Sequence, residues 1–226
     1  MNYPYSRQTI TKDDIKKVSE VLKSKFITQG PVVKKFENSI SNLVGSRYAS
    51  ATNSATSALH IACLAIGLKK GDYIWTAPNS FVASANCGVY CGAKVDFVDV
   101  DKNDFNIDVE KLELKLKSKK RRPKILITVH FAGQPTKQDK IWALAKKYNF
   151  YVIEDAAHSL GAKNKGILVG SCRWSDITVF SFHPVKTITS GEGGMATTNN
   201  LNLYKKMELF KNHGISRDQK NLKKKR

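Results

Sequence analysis

Three stretches of the chain place residues capable of proton chemistry directly after runs of strand character. YVI leads into Glu154-Asp-Ala-Ala-His158, ITVF into Ser181-Phe-His-Pro-Val-Lys186, and ILITV into His130-Phe-Ala-Gly-Gln-Pro135. A fourth stretch, Thr52-Asn-Ser-Ala-Thr56, sets Ser54 at the opening of a helical pattern. Each residue type has a use. A lysine shielded from water loses its proton more readily and becomes a nucleophile toward an aldehyde. A carboxylate facing a pyridine nitrogen keeps that nitrogen protonated, which makes the ring an electron sink. A helix start offers unpaired N–H groups and a hydroxyl to a phosphate. Together these meet the needs of pyridoxal phosphate. Asp-x-x-His, one lysine among 31 and a flexible Gly191-Glu-Gly-Gly194 turn leave other uses open on the residues alone.

The elements that must position these residues alternate between helix and strand, which predicts an α/β fold with a mainly parallel sheet. Helical patterns cover residues 11–24, opened by a capping-box pair at Thr11 and Asp14, and residues 31–44, with Pro31 in the first turn. A third helix follows the Asn53-Ser54 cap and runs to Gly67. Further helices are expected near 81–90 and over 109–117, 137–148 and 201–211. Strands are expected at 73–76, 95–98, 125–129, 150–153, 177–180 and 195–197. Ligands of open α/β sheets bind beyond the carboxyl ends of the strands, where the residues named above fall. No repeat or low-complexity linker breaks the alternation, so one domain is expected.

Composition narrows the class. With 41% apolar and 9% aromatic residues the chain can build a core and is not a disordered one. The apolar stretch at 59–68 is about half of what a bilayer span needs. Cys63, Cys87, Cys91 and Cys172 contain no CxxC pair; Cys87 and Cys91 have helical spacing without a metal-ligand partner in sequence. The expectation is a reduced, cytoplasmic protein. The net charge of +19 raises the question of nucleic acid. It comes from 31 Lys and only 7 Arg, spread along the chain without interleaved aromatics, so a solvated surface is the better reading.

The motifs together resemble the DegT/DnrJ/EryC1/StrS family of sugar aminotransferases. The matching segments are Pro4-Tyr-Ser-Arg-Gln8, Ile27-Thr-Gln-Gly-Pro31, Thr52-Asn-Ser-Ala-Thr-Ser-Ala-Leu59, Glu154-Asp-Ala-Ala-His158, and Val179-Phe-Ser-Phe-His-Pro-Val-Lys186 with Gly191-Glu-Gly-Gly194. The resemblance implies the large domain of a fold-type I (aspartate aminotransferase) enzyme with pyridoxal phosphate as cofactor. Lys186 would form the Schiff base and shuttle the proton, Asp155 would pair with the ring nitrogen, and His158 would lie near the ring. Ser181, Ser54 and the Ala55 amide would hold the cofactor phosphate, and Phe81 would stack on the ring. Ser54 also reads as a plain N-cap, Phe81 as a core aromatic and His158 as a turn histidine. His130 and Gln134 would lie near the pocket, with His183 positioning the lysine loop. YSRQ, ITQGP and FSFHPVKTIT resemble the subgroup that makes UDP-4-amino-4,6-dideoxy-N-acetyl-β-L-altrosamine, a pseudaminic acid precursor. That subgroup suggests Tyr5 and the stretch Lys25, Phe26, Ile27 and Thr28 for a nucleotide-linked 4-keto sugar, glutamate as amino donor, and a homodimer.

The sequence also departs from the family. The large domain would occupy residues 1–218, with an N-terminal arm of about residues 1–30, and residues 219–226 would be a frayed basic tail. The smaller second domain and the family's Gly-x-Asn-x-Arg segment have no counterpart in the chain, so weak or no turnover by this chain alone is expected. A pyridoxal-phosphate sugar dehydratase would carry His in place of Lys186. A non-catalytic fragment and a basic nucleic-acid binder are the rivals from other classes.

Overall fold

Strands without charge and helices with one apolar face can be buried together only in layers, and the chain resolves into three. The computed structural model describes residues 4–118 and 122–215. In chain order the elements are α1 (Lys12–Leu22), α2 (Pro31–Val44), β1 (Tyr48–Thr52), α3 (Ala55–Ile66), β2 (Tyr73–Thr76), α4 (Ala83–Tyr90), β3 (Lys94–Phe97) and α5 (Val109–Ser118). There follow β4 (Ile125–Val129), α6 (Gln138–Tyr148), β5 (Tyr151–Asp155), the short hairpin β6 (Lys163–Asn164) and β7 (Ile167–Leu168), β8 (Ile177–Ser181), β9 (Gly194–Thr198) and α7 (Leu201–Lys211).

Seven strands form one sheet in the order β1-β9-β8-β5-β4-β2-β3. β3, β2, β4, β5 and β8 are parallel, whereas β9 is antiparallel to both neighbours, β8 and β1. β1 therefore points with the parallel five and β9 alone is reversed. Side chains alternate across the sheet as strand geometry requires. Ile74, Ile125, Ile127, Ile153 and Val179 meet α3 and α4 in one buried cluster. Their neighbours Trp75, Leu126 and Val152 face the opposite layer, where Leu112 and Leu116 of α5 and Ile141 of α6 complete a second cluster. Ile40 and Val44 of α2 pack on Ala49, Phe180 and Met195 in a third. A Val, Leu, Ile, Phe or Met side chain so buried contributes about 1.5–3 kcal/mol.

The expected elements are present with small shifts at their ends; β3 starts at Lys94 rather than at residue 95. Ser54 and Gly67 cap α3 as expected, and Thr11 and Asp14 form the capping box of α1. Strand β1 was not among the expected elements. Its sequence, YASAT, has no large aliphatic residue, and it is a strand because Ala49 and Ser50 are buried beside β9. The arm over residues 4–30 contains α1, which buries none of its residues. The tail at residues 219–226 lies outside the described residues. Among the described residues no helix is long and apolar enough to cross a membrane.

The positive charge is distributed over these layers. Lys111 pairs with Asp99, Lys124 with Asp72, Lys137 with Asp101 and Lys165 with Asp139, each on a different part of the surface. Some acidic groups are interior, Glu37, Glu154 and Asp155 among them. Glu37 of α2 is buried; it accepts the Ala51 N–H at 2.9 Å and Lys211 Nζ at 2.8 Å. Lys211 also meets Glu208, which accepts the Ser50 hydroxyl at 2.6 Å, so α2, α7 and β1 are tied by one network.

Candidate active site

One edge of the sheet collects the chemistry. There β1, β4, β5 and β8 end and the reversed β9 begins, so that Gly194 pairs with both Thr52 and Ser181, and Val129 pairs with Asp155. Beyond this edge opens a cleft of about 650 Å³. Its lining includes Tyr5, Ser54, Ala55, Thr56, Phe81, Asp155, His158, Ser181 and Lys186. The size suits a small-molecule or cofactor site.

Asp155 is the last residue of β5 and is buried. Its Oδ2 accepts the Ser84 hydroxyl at 2.6 Å and its Oδ1 accepts the Ala157 N–H at 3.2 Å. Lys186 follows β8 through a turn in which its N–H donates to the His183 carbonyl at 2.9 Å. Its Nζ lies 2.5 Å from Nε2 of His158. Burial draws the Lys186 ammonium below the ordinary lysine range, against the pull of the Asp155 charge. Burial also lowers His158, and the neighbouring Lys186 charge lowers it further, with Asp155 opposing. The neutral imidazole is thus the acceptor and the lysine the donor.

The opposite wall is the start of α3. Ser54 is its N-cap, accepting the Ser57 N–H at 3.1 Å. The first-turn amides of a helix have no acceptor within it, and Ala55 and Thr56, in that turn, line the cleft. Gly194 runs directly beneath. A Cβ there would stand 2.3 Å from the Ser54 carbonyl carbon and oxygen and 2.5 Å from the Ala55 nitrogen. Only glycine lets the strand approach the helix start this closely.

Behind the cleft, His130 is buried against Glu154. His130 Nδ1 accepts the Thr136 N–H at 3.2 Å, so Nε2 carries the proton donated to Glu154 at 2.9 Å. Burial pushes the Glu154 carboxyl up, but His130 and nearby hydroxyls bring it below its usual value. The His130 N–H donates to the Asp155 carbonyl at 3.1 Å, which joins β4 to the end of β5.

The structure brings Tyr5, Ser54, Ala55, Phe81, Asp155, His158, Ser181 and Lys186 round one cleft, with His130 and His183 also in its lining. Tyr5 and Phe81 stand at its mouth, 87% and 75% exposed. Lys25, Phe26, Ile27 and Thr28 are not in the lining; they occupy the exposed turn between α1 and α2, where Lys25 Nζ lies 5.9 Å from the Phe26 ring. Gln134 is likewise outside the lining. Ser84 was not singled out from the sequence. It lies in a helix without charge, and nothing in the local pattern says that the helix crosses the end of β5. Cys63 of α3 packs with Cys87 of α4 and with Cys91, which caps that helix, but among the described residues no group of histidine, cysteine and acidic side chains is arranged to hold a metal.

The chain has relatives among known proteins. Over residues 8–226 the chain matches the DegT/DnrJ/EryC1/StrS aminotransferase family. It is 44% identical over 211 residues to the UDP-4-amino-4,6-dideoxy-N-acetyl-beta-L-altrosamine transaminase of Campylobacter jejuni subsp. jejuni serotype O:23/36, covering 93% of this chain and 55% of the relative. Among solved structures it is similar to Helicobacter pylori PseC, an aminotransferase involved in the biosynthesis of pseudoaminic acid, with a TM-score of 0.89 and 37% identity over 96% of this chain and 58% of that one. The PLP form of Streptococcus pneumoniae Spr1654 gives a TM-score of 0.84 at 29% identity, over 92% of this chain and 57% of that one. The chain thus spans about half the length of the curated relatives it matches. Matched over residues 8–226 and built like solved aminotransferases across nearly all of its length, the chain belongs to the DegT/DnrJ/EryC1/StrS aminotransferase family.

Proposed function

We propose that this chain forms the cofactor-holding part of a pyridoxal-phosphate aminotransferase that moves an amino group from glutamate to C4 of a UDP-linked 4-keto-6-deoxy N-acetyl sugar. The observation that carries the reading is the meeting of Lys186, His158 and Asp155 with the start of α3 around one cleft. The residues fit the cofactor on the structure's own terms. A buried carboxylate faces the cleft, a half-buried lysine stands opposite a neutral histidine, and a glycine-floored helix start offers amides to a phosphate. Pyridoxal phosphate, when bound, supplies an aldehyde that takes up the amine and a ring that withdraws electrons from the bond being broken.

The chain's residues do the rest. The Ala55 and Thr56 amides, the Ser54 hydroxyl and Ser181 hold the phosphate at the positive end of α3. The Asp155 carboxylate holds a proton on the ring nitrogen through a charge-assisted bond. Phe81, at the cleft mouth, would stack on the ring. Lys186 Nζ, whose ammonium burial draws below the ordinary lysine range, would be the nucleophile toward the aldehyde and, once displaced from it, the base that moves a proton between the donor Cα and the cofactor C4′. His158 Nε2 takes the Lys186 hydrogen bond and orients the amine. Tyr5 at the mouth meets the sugar nucleotide, and the enzyme works as a homodimer. The subgroup similarity supports the UDP-linked substrate.

The test is direct. The purified 226-residue chain is mixed with pyridoxal phosphate, reduced with borohydride and digested. Label on the Lys186 peptide, absent from Lys186→Ala, supports the reading. Label spread over surface lysines, or none, overturns it. Turnover with glutamate and a UDP-linked 4-keto-6-deoxy sugar then tests the substrate; amination of unlinked sugars alone would refute the nucleotide part.

A further inference from the structure

We propose that Ser84 is a positioning residue that fixes the Asp155 carboxylate for the ring nitrogen; this rests on the reading above, in which Asp155 faces that nitrogen. Ser84 and Asp155 belong to different elements, α4 and β5, and both are buried, Ser84 completely. The hydroxyl must donate, because the carboxylate can only accept. At 2.6 Å the contact is in the range of charge-assisted O–H···O⁻ bonds. The second carboxylate oxygen takes the Ala157 N–H at 3.2 Å. Donors from two elements thus set the rotation of the carboxylate about its Cβ–Cγ bond and leave its remaining lone pairs for the cleft. A fully buried serine in α4 would otherwise carry a hydroxyl at a desolvation cost, so its presence there needs a partner, and the partner is the carboxylate.

α4 also begins at the cleft mouth, where the Ser84 N–H donates to the Phe81 carbonyl at 3.2 Å. One turn of backbone thereby links the aromatic at the mouth to the group that orients the aspartate. Loss of the hydroxyl leaves Asp155 with one donor and a rotatable carboxylate, while the lysine, the helix start and the phosphate amides stay in place.

Binding of two ligands tests this without turnover. Pyridoxal phosphate has the ring nitrogen; 1-deazapyridoxal phosphate has a C–H in its place. Equilibrium dialysis with the full chain, Ser84→Ala and Ser84→Cys gives six affinities. Ser84→Ala is expected to lose about tenfold in affinity for pyridoxal phosphate and to change less than about twofold toward the deaza ligand. Ser84→Cys keeps the volume but donates weakly, and is expected to follow the alanine variant. Equal losses for both ligands, or a cysteine variant as tight as wild type, would show that Ser84 acts by packing and would overturn the proposal. Failure of the underlying reading looks different: the wild-type chain then shows no preference for the ligand with nitrogen, and the proposal falls with it.

Discussion

Replacing Gly194 by alanine tests whether the site's phosphate wall depends on close contact between a strand and a helix start. The added Cβ would lie 2.3 Å from the Ser54 carbonyl, where ordinary contact begins at 3.4 Å. About 1 Å of backbone movement is therefore needed, and overpacking of this kind costs about 1–3 kcal/mol. The strand cannot yield easily, because Gly194 pairs with Thr52 on one side and Ser181 on the other. The helix start must move instead, and the Ser54 carbonyl that accepts the Ala58 N–H at 3.1 Å moves with it. Gly193→Ala is the internal control. Its new Cβ would first meet the Ser190 hydroxyl, at 2.4 Å, and a side chain can rotate away where a backbone cannot. The expected cost there is about 1 kcal/mol or less, the worth of one exposed hydrogen bond. Urea unfolding measures both. Binding of pyridoxal phosphate against pyridoxal, which lacks the phosphate, locates the damage: Gly194→Ala should lose about tenfold or more for the first and little for the second. A Gly194→Ala chain as stable as wild type with unchanged phosphate preference, or a Gly193→Ala chain that suffers more, would refute the argument.

Three further outcomes follow from the charges and thiols. Because burial lowers Lys186 below 10.5, covalent fixation of pyridoxal phosphate should rise with pH through a midpoint below that value; a midpoint at or above it would contradict the site's electrostatics. Burial raises the Glu37 carboxyl, but the Ala51 N–H, Lys211 and Lys34 bring it below 4.5, so its contribution is complete above 4.5 and is lost as pH falls through the lower folded value. Glu37→Gln should therefore cost about 2 kcal/mol near neutrality, less than for a fully isolated buried pair because Lys211 keeps Glu208, and the gap to wild type in urea midpoint should close in acid. Cys91, half-buried and held low by a hydrogen bond from Cys63, should be alkylated by iodoacetamide before the buried Cys63, Cys87 and Cys172, as peptide mapping over time will show.

The sequence carried the fold where periodicity was strong. ILITV is uncharged and buried from Ile125 to Thr128, and Ser54 and Gly67 bound α3 because a cap needs a side-chain acceptor at one end and a left-handed residue at the other. β1 was missed because its small residues read as loop; its strand identity comes from β9, far along the chain. The residues at strand ends were legible as chemistry because strand polarity tells which end of the sheet receives a ligand. Ser84 and the His130–Glu154 pair were not, since each depends on which helix or strand lies next to β5, a tertiary fact that no local window contains. The glycines divide the same way. Gly191, at φ +79, is a turn residue whose need is local, whereas Gly194 is required by the approach of Ser54 from another part of the chain.

The single reversed strand has a consequence for how the molecule is made. Of the strands of this sheet β1 is made earliest, and it lies at the edge, where among the described residues it is bonded to β9 alone. Tyr48 must wait for Thr198, about 150 residues later in synthesis, before its backbone is paired. The parallel strands β2, β4, β5 and β8 can assemble in the meantime, with the row of N–H and C=O groups on β8 still open. β1 therefore stays unpaired while about 150 residues are made, and β8 joins it for the short stretch before Gly194, a state in which chains pair with the wrong neighbour. β9 closes both at once, and with them the cleft, so ligand binding and freedom from aggregation should appear together once β9 has paired.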